Sequence, residues 1–449
     1  MTAITTSVFE LFKIGPGPSS SHTIGPMKAG YNFHNAVADL SLDEQPDNLE
    51  VRLYGSLSAT GEGHGTDRAV IAGLLGFRPD NVECDFLDSL ADGQSRQFES
   101  GKVSLPLSIK NVIFAEVEND FPYANTLLLR LRKGEEILFE QEYYSIGGGF
   151  IKWKGQQEEI PRVPPHQYSN MDELKAILTE EGLRMHQAII ANETAITGIS
   201  EGEVYEQLDA ILDAMKQAVR NGLASEGTLP GPIGLQRKAK RLFENSSQPN
   251  CADGFLLRLN SYGFAASEEN AAGRIVVTAP TSGSAGVIPA AVYALEEDLG
   301  VIREKVREGM LVAAALGFIA KHNASIAGAE VGCQGEIGVA SAMAAGLIAY
   351  ANGHRFWRTE NAAESALEHH LGITCDPVGG YVQIPCIERN AMGVVRAYNA
   401  YLIASVENEK FHKVSYDEVV KAMAETGKDM NSKYKETSLG GLAVSVPNC

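Results

Sequence analysis

Short strand patterns dominate the first 150 residues of the chain. Residues 49–56, LEVRLYGS, alternate apolar and polar side chains, which predicts a half-buried β-strand. Residues 126–145, TLLLRLRKGEEILFEQEYYS, predict two strands joined by a tight turn at Lys133-Gly134. This part of the chain therefore predicts an α/β domain with a small sheet.

A proline-rich segment interrupts the pattern, and helical periodicity follows it. Pro161, Pro164 and Pro165 lie within five residues, which favours a domain boundary. Residues 171–196 and 202–225 then carry apolar side chains at helical spacing, and residues 304–324 and 338–351 are rich in alanine and glycine, as buried helices are. The prediction is an α+β chain with an N-terminal α/β domain at residues 1–155, a linker at 156–170, and a larger, mostly α-helical domain at 171–449.

Charge and composition narrow the class of protein. The chain has 449 residues, of which 44% are hydrophobic and 21% charged, so a globular fold is expected. Its 38 Lys+Arg against 57 Asp+Glu give a net charge of −19, which disfavours nucleic acid and anionic membranes as partners. A small-molecule enzyme fits better.

The expected compartment is the cytoplasm. The N-terminal residues lack the basic start and long apolar stretch of a signal peptide. The longest apolar run, Ile337 to Ala351, is shorter than the roughly 20 residues of a spanning helix, and predicts a buried helix. Six cysteines in a chain of this length do not form a disulfide scaffold, which favours a reducing compartment.

Three cysteines with glycine-rich flanks are candidate metal ligands. Cys333, Cys375 and Cys386 occur in GAEVGCQGEIG, GITCDPVGG and IPCIERN, with a spacing that matches neither a zinc ribbon nor a ferredoxin. Spacing alone also permits buried structural cysteines. The glycines favour close approach of the backbone to an inorganic group, and Cys333 precedes an apolar helix whose dipole favours an anionic centre. Cys84 and Cys251 lack such flanks and are not expected to be ligands.

Two histidines lie at predicted junctions between a loop and a helix. His22 lies in GPGPSSSHTIGP, with Pro26 suited to the first helical turn, and His64 lies in GEGHGTDRA, with Thr66 as the expected N-cap. Because histidine titrates near neutral pH, one could act as a base and the other as an acid or carboxylate binder. The residues leave open which is which, and solvated loop histidines are the alternative.

Hydroxyl-rich turns supply candidate substrate ligands. Ser20, Ser21 and Thr23 flank His22, while Thr281, Ser282 and Gly283 lie in APTSGSAG, a sequence that would suit an anion-binding loop. The same residues commonly cap helices and form plain turns, so both interpretations stay open.

Long motifs of this chain resemble one known family. They are SVFELFKIGPGPSSSHTIGPMKAG, YGSLSATGEGHGTDRA and APTSGSAGVIPA, together with the cysteine set. The chain resembles the single-chain bacterial iron–sulfur L-serine dehydratases (L-serine deaminases) from about residue 7 to the last residue. The resemblance implies a homodimer that converts L-serine to pyruvate and ammonia. It also implies a [4Fe-4S] cluster on Cys333, Cys375 and Cys386 in a helical catalytic domain, with His and Ser loops supplied by the N-terminal domain.

The resemblance gives the terminal Cys449 a possible role. Deaminating serine requires loss of an unactivated α-proton and of hydroxide, and an iron with an open position would act as the Lewis acid. Cys449 would be a fourth, resting-state ligand that serine displaces, with Gly440 and Gly441 bending the tail inward. The tail by itself would equally suit a frayed end.

Two other functions are consistent with parts of the sequence. A pyridoxal-phosphate dehydratase performs the same net reaction, and TSGSAG could be its phosphate loop, but no lysine lies in a convincing pocket motif. An amino-acid-binding regulatory protein would bind serine and release no pyruvate. Visible absorption distinguishes a pyridoxal-phosphate dehydratase from an iron–sulfur enzyme. A pyruvate assay distinguishes the regulatory protein from either enzyme.

Overall fold

The computed structural model describes residues 2–157, 162–246, 253–408, 412–438 and 440–446. The chain forms two compact units. The N-terminal unit is Ile14–Glu159 with Gly273–Ile275, and the helical unit is Met1–Lys13, Ile160–Ala272 and Val276–Cys449. The α+β class is confirmed, because the main sheet lies in the N-terminal unit and the helical unit is mostly α-helix.

The strands of the described chain are β1 Ile14–Pro16, β2 Asn48–Leu53, β3 Arg96–Ser100, β4 Val103–Leu107, β5 Val112–Phe114, β6 Thr126–Lys133, β7 Glu136–Ser145, β8 Ile151–Trp153 and β9 Ile275–Val277. The α-helices are α1 Val8–Leu11, α2 Gly25–Ala38, α3 Ser56–Thr60, α4 Thr66–Leu74, α5 Cys84–Ser89, α6 Met171–Glu181, α7 Met185–Thr197, α8 Glu201–Ala224, α9 Ala239–Ser246, α10 Gly254–Ala271, α11 Val287–Tyr293, α12 Arg303–Asn323, α13 Gly328–Val331, α14 Val339–Ala351, α15 Phe356–Glu368, α16 Cys386–Val406 and α17 Tyr416–Asp429.

The N-terminal unit is built on a five-stranded sheet of order β5-β2-β6-β7-β8. The pair β2–β5 is parallel, whereas β2–β6, β6–β7 and β7–β8 are antiparallel. The predicted hairpin is confirmed, since Lys133 of β6 pairs with Glu136 of β7 and Gly134 takes the left-handed conformation. A separate hairpin pairs β3 with β4.

The predicted strand at residues 49–56 is confirmed as β2, but its burial departs from simple alternation. Glu50 is 7% exposed although the pattern gives it a solvent position. Arg52, Arg130 and Arg132 approach its carboxylate at 2.9, 3.2 and 3.1 Å. Burial acts to raise the pKa of Glu50, but the hydrogen bonds and charges of these arginines outweigh it and hold the pKa below its ordinary value. Cross-strand charge pairing thus permits a buried acid here.

Helices α2 and α4 cross in very close contact on two glycines. A Cβ added at Gly73 would overlap the carbonyl of Met27, and one added at Gly30 would overlap the carbonyl of Val70. Each helix begins just after a histidine motif, so this crossing fixes the two motifs as neighbours.

The first residues of the chain pack in the helical unit, which differs from the predicted boundary. Ser7 caps α1, and its hydroxyl also donates to Glu193 Oε1 of α7 at 2.5 Å. The Val8 N–H donates to Glu193 Oε2 at 2.8 Å. These contacts join residues that are 186 and 185 positions apart, which local sequence patterns do not reveal.

Helix α14 is central to the helical unit, and its burial confirms the prediction for the apolar run. All of its residues are buried, and it packs against α11, α12, α15 and α16. Its alanines and glycines permit this; Leu316 of α12, for example, packs where Gly346 lacks a side chain. Over the described ranges, we find no helix with the length and apolarity needed to span a bilayer.

Two glycines of α8 allow a matched test of this packing. A Cβ at Gly222 would overlap the backbone of Ala265 in α10, whereas one at Gly202, near the start of the same helix, would make only an ordinary contact of 3.9 Å with Ser200 Oγ. We expect Gly222→Ala to lower the free energy of unfolding by about 1–3 kcal/mol through overpacking, despite the better helix propensity of alanine. Urea unfolding followed by circular dichroism measures the change.

The control is Gly202→Ala, which should leave stability unchanged or raise it by up to about 1 kcal/mol. Equal effects of the two substitutions would contradict the close contact of α8 with α10.

Candidate active site

The two histidines of the sequence motifs lie side by side in the N-terminal unit. Their ring centroids are 4.7 Å apart. His22 belongs to a π-helical turn, Ser20–Ile24, that leads directly into α2, where Pro26 occupies the first turn as predicted. His64 lies two residues before α4. Both side chains are buried, with exposures of 0% and 6%.

Two threonines cross-link the histidine motifs. Thr23 Oγ1 donates to the His64 carbonyl at 3.0 Å, and Thr66 Oγ1 donates to the His22 carbonyl at 2.6 Å. The expectation that Thr66 caps α4 is wrong: the N-cap position belongs to Gly65, in the left-handed conformation, and Thr66 is the first helical residue. The Thr66 hydroxyl instead hydrogen-bonds to the backbone of the His22 motif.

The histidine rings have different hydrogen-bonding environments. His22 Nδ1 lies 2.8 Å from Ser21 Oγ, and its Nε2 lies 3.0 Å from Ser56 Oγ. His64 Nδ1 is buried and has no hydrogen-bond partner among the residues described. Both ring nitrogens of His22 therefore have hydrogen-bond partners, whereas Nδ1 of His64 has none in the described structure.

Burial keeps both rings neutral at physiological pH. It lowers the pKa of His22 to about 3, with a further contribution from the neighbouring His64. It also lowers the pKa of His64 to about 4, against a hydrogen bond to the backbone of Thr60 that acts to raise it. Titration near neutral pH, as expected of free histidine, does not hold for either residue. A neutral imidazole can still accept a proton.

The serines beside His22 are buried within the same turn. Ser19 Oγ accepts the His22 N–H at 3.2 Å and lies 3.2 Å from Ser21 Oγ. Ser20, at the start of the turn, is 5% exposed. The predicted group Ser20, Ser21 and Thr23 is thus gathered around the histidine pair.

The helical unit brings two of the cysteines together with a carboxylate. Ligand atoms of Cys333, Glu336 and Cys375 all lie within 4.8 Å of one another. Glu336 Oε2 is 3.8 Å from Cys333 Sγ and 3.9 Å from Cys375 Sγ. Cys386 is not part of this group; the pKa of its thiol is raised, first by burial and then by the charge of Cys333, which puts it within electrostatic range of that thiol. All three cysteines are free thiols and are buried.

Helix starts and the C-terminal segment position these cysteines. Cys333 precedes a π-helical turn, Gln334–Gly338, that continues into α14, and Cys386 is the first residue of α16. Both therefore lie at the positive end of a helix dipole, as predicted for Cys333. The Cys375 N–H donates to the Tyr434 carbonyl at 2.7 Å, and its carbonyl accepts from the Thr437 N–H at 3.1 Å.

A partly buried arginine, 3.6 Å from the carboxylate of Asp376, supplies positive charge beside the thiols. Arg389 lies one turn after Cys386 and donates to the Thr374 carbonyl at 2.5 Å. Burial acts to lower the pKa of Arg389, but the charges of Cys333 and Cys386 outweigh it and raise that pKa. Such a counter-charge suits an anionic centre.

The predicted loop at residues 279–286 lies against the same carboxylate. Thr281 Oγ1 donates to Glu336 Oε1 at 2.8 Å, and Asn390 Nδ2 donates to the Gly283 carbonyl at 2.8 Å. Ser282 is 1% exposed, and its hydroxyl has no hydrogen-bond partner in the described structure. A buried hydroxyl without a partner is costly unless a ligand completes it.

Glycines let the backbone approach Cys375 and Glu336 closely. A Cβ at Gly328 would lie 3.0 Å from Cys375 Sγ and 2.9 Å from Glu336 Oε2, and one at Gly283 would lie 3.0 Å from Glu336 Oε1. These distances are too short for any larger residue to fit without displacement. With three thiols, a counter-charge and two helix starts, the residues fit an iron–sulfur cluster.

Two acidic residues of the site are absent from the predicted set. Glu336 lies three residues after Cys333, a helical spacing that could have identified it, and burial raises its pKa. Glu436 has φ of +46°, and its pKa is raised to about 8 by burial and then by the charge of Glu336. A non-glycine residue in this conformation is strained and is typical of functional segments.

The C-terminal segment is anchored next to Cys375. The Leu442 N–H donates to Asp376 Oδ2 at 2.7 Å, and Gly441 takes the left-handed conformation with no space for a Cβ beside Asp376. Residues 441–444 form a 3₁₀ turn. Cys449, like Cys251, lies outside the described residues.

Comparison with known proteins covers nearly the whole chain. A family model described as the serine dehydratase beta chain matches residues 7–156, and one described as the serine dehydratase alpha chain matches residues 180–443. An L-serine dehydratase of Haemophilus influenzae is 40% identical over 458 residues, covering 98% of this chain and 99% of that protein.

Two further relatives agree with this result. L-serine dehydratase 2 of Escherichia coli is 40% identical over 455 residues, with 99% of each chain covered. An L-serine dehydratase of Streptomyces coelicolor is 41% identical over 469 residues, again with 99% of each chain covered. The chain belongs to the serine dehydratase family and joins the alpha-chain and beta-chain regions in a single polypeptide.

Proposed function

We propose that this protein is an L-serine ammonia-lyase that converts L-serine to pyruvate and ammonia. The observation that carries the proposal is the group of Cys333, Glu336 and Cys375, with Cys386 buried in electrostatic range of Cys333, beside a loop whose Ser282 hydroxyl has no partner in the described structure. Membership of the serine dehydratase family supports serine as the substrate, because the matching relatives carry L-serine dehydratase names. As before, we expect a cytoplasmic homodimer.

The proposed cofactor is a [4Fe-4S] cluster on Cys333, Cys375 and Cys386. The close approach of the glycine backbone, the free thiols and the Arg389 charge support this assignment. When bound through three thiolates, the cluster supplies a Lewis-acidic iron for the substrate hydroxyl and carboxylate. The chain itself must bind the rest of serine and move its protons.

The loop at residues 279–286 is the proposed binding element for serine. The Ser282 hydroxyl, free of other partners, would donate to the substrate carboxylate, and Gly283 allows close approach of the backbone. Glu336 accepts from Thr281 and thereby fixes the threonine rotamer. Asn390 holds both ends of the turn, through the Gly283 carbonyl and the Gly286 N–H. The loop is therefore preorganised before substrate arrives.

His64 is the proposed base for the α-proton. Since its Nδ1 has no partner, the hydrogen bond to the Thr60 backbone uses the other ring nitrogen. Donation there leaves the lone pair on Nδ1, where a proton can be accepted. His22, whose ring is neutral, takes the carboxylate-binding role together with Ser20, Ser21 and Thr23, since its ring joins two serine hydroxyls.

The overall reaction balances without an external oxidant. The α-proton passes to His64, the leaving hydroxyl takes that proton from His64 and departs as water, and aminoacrylate remains with His64 neutral again. Aminoacrylate tautomerises to an imine, which water hydrolyses to pyruvate and ammonia. The net reaction consumes no redox equivalent, so the cluster would act as a Lewis acid and not as an electron carrier.

Cys449 is the proposed displaceable fourth ligand. The anchored turn at residues 441–444 ends five residues before Cys449, and its attachment point, Asp376, follows Cys375 directly. A segment of five residues spans at most roughly 17 Å, and Cys449 can be a ligand only if this length suffices to reach the cysteine group.

Removal of one cysteine ligand tests the cofactor. We expect Cys333→Ser, Cys375→Ser or Cys386→Ser to abolish most of the broad visible absorption, the bound iron and sulfide, and pyruvate release from L-serine. The proteins are purified without oxygen before spectroscopy, metal analysis and the pyruvate assay. Loss follows because a cluster held by two cysteines is poorly retained.

Cys84→Ser is the matched control and should keep colour and activity. An iron-free protein that still forms pyruvate would contradict the cluster, and a single aldimine band would favour the pyridoxal-phosphate alternative. Serine binding without pyruvate would favour the regulatory protein.

Substitution of the proposed base tests the proton step. We expect His64→Gln to lower kcat by about 10²–10⁴-fold while leaving the visible spectrum unchanged, because proton transfer is lost and the cysteines are untouched. Exchange of the serine α-hydrogen in D₂O should fall in parallel. His34→Gln, in the same unit, is the control and should retain both activities.

The pH profile of the unchanged enzyme provides a second check. A base must be deprotonated, so kcat/KM should fall as pH drops through the His64 pKa of about 4 and not near the ordinary value of 6.5. An acid limb near 6.5, or full α-hydrogen exchange in His64→Gln, would rule His64 out as the base.

Removal of the tail thiol tests the fourth ligand. We expect Cys449→Ala to keep the iron content but to change the visible and Mössbauer spectra of the serine-free enzyme, because one thiolate is lost from the cluster. Addition of serine should make the spectra of the two proteins converge. Identical spectra before serine is added would exclude Cys449 as a ligand.

A further inference from the structure

A surface cleft lies in the helical unit, away from the cysteines. It is formed where α6 is followed by α7 and where α14 is followed by α15. Its volume is about 650 Å³. We call it the arginine cleft, and its lining includes Lys175, Arg184, Arg355, Tyr350, Phe356 and Trp357. None of these residues belongs to the candidate active site.

The two corners share one local sequence pattern. Helix α6 ends before Gly182, which has φ of +67°, and Arg184 is the N-cap of α7. Helix α14 ends shortly before Gly353, which has φ of +86°, and Arg355 is the N-cap of α15. Each corner thus has the sequence Gly-x-Arg. In each, the arginine is the N-cap residue, has an extended backbone conformation and lines the cleft.

Arginine is an unfavourable N-cap. A guanidinium has no acceptor for the free N–H groups of the first turn, and its charge has the same sign as that end of the helix dipole. Helices α6, α8 and α17 of this chain instead use Asn170, Ser200 and Ser415, whose side chains accept such bonds. The first turns of α7 and α15 also contain no acidic residue.

The positive charge of the cleft has no carboxylate partner at ion-pair distance. Within the described ranges, no ion pair joins Lys175, Arg184 or Arg355 to an acid. Their nearest recorded partners are aromatic: Lys175 Nζ lies 5.8 Å from the Phe356 ring centre, and the Arg184 guanidinium lies 5.0 Å from that of Tyr350. Three exposed cations line one cleft, and in the described chain only Lys175 of these lies within electrostatic range of a carboxylate, that of Glu360; this contrasts with the net charge of −19.

We propose that the arginine cleft binds a small molecule with a phosphate group and a planar ring, of the nucleoside monophosphate class. The phosphate would satisfy the free N–H groups of α7 and α15 and pair with the arginines. The ring would pack on the aromatic side chains that line the cleft. This site is independent of the reaction proposed for the cysteine group.

The test is calorimetric titration of the full-length protein with AMP at constant ionic strength. The unchanged protein should bind AMP, and bind inorganic phosphate and adenosine separately much more weakly. Arg355→Ser should weaken AMP binding by roughly tenfold or more, since a charge-assisted contact is lost. Lys421→Ser replaces an exposed lysine elsewhere in the helical unit and should bind AMP normally.

A second readout separates a ligand site from a structural role. Without AMP, Arg355→Ser should raise the melting temperature, because serine caps α15 and the like charge at the helix dipole is removed. Failure of the unchanged protein to bind AMP, AMP binding no tighter than phosphate, normal AMP binding by Arg355→Ser, or a lower melting temperature in that variant would each overturn the proposal.

Discussion

Close approach of helix backbones through glycine and alanine is the constraint on which both groups of candidate residues depend. In the N-terminal unit, Gly30 and Gly73 bring α2 and α4 together, and the histidine motifs just before these helices become neighbours as a result. In the helical unit, small residues let α14 lie at the centre of the bundle, which fixes Cys333 just before its start. The positions of the histidines and of Cys333 are thus set by helix packing that takes place outside the sites themselves.

Several polar groups remain unsatisfied or neutralised as a consequence of this packing. The Ser282 hydroxyl and His64 Nδ1 are buried without partners in the described structure, and burial raises the pKa of Glu336. Each such group costs roughly 1–3 kcal/mol when no ligand completes it. These groups therefore lower the free energy of unfolding at the residues proposed to bind a ligand, which is the usual pattern at functional sites.

The sequence predicts the features that depend on near neighbours. The β6–β7 hairpin and the buried helix α14 follow from alternation, turn residues and an apolar run. The cysteine group required family motifs in addition, because its members are far apart in the chain. Glu336 and Asn390 were missed since their contacts cross 55 and 107 residues. The arginine cleft was missed for another reason: its signal is a residue that helix starts normally avoid.

The first 13 residues of the chain belong to the helical unit, and this affects where the gene could be divided. Ser7 and Val8 are hydrogen-bonded to Glu193 inside the helical unit, although the N-terminal unit lies between them in the chain. A break near residue 160 would leave these partners on separate polypeptides. The shorter fragment would then supply a segment of the longer fragment's own fold. Splitting the gene there would encode two interdependent subunits, which must associate to complete the helical unit, and not two autonomous domains.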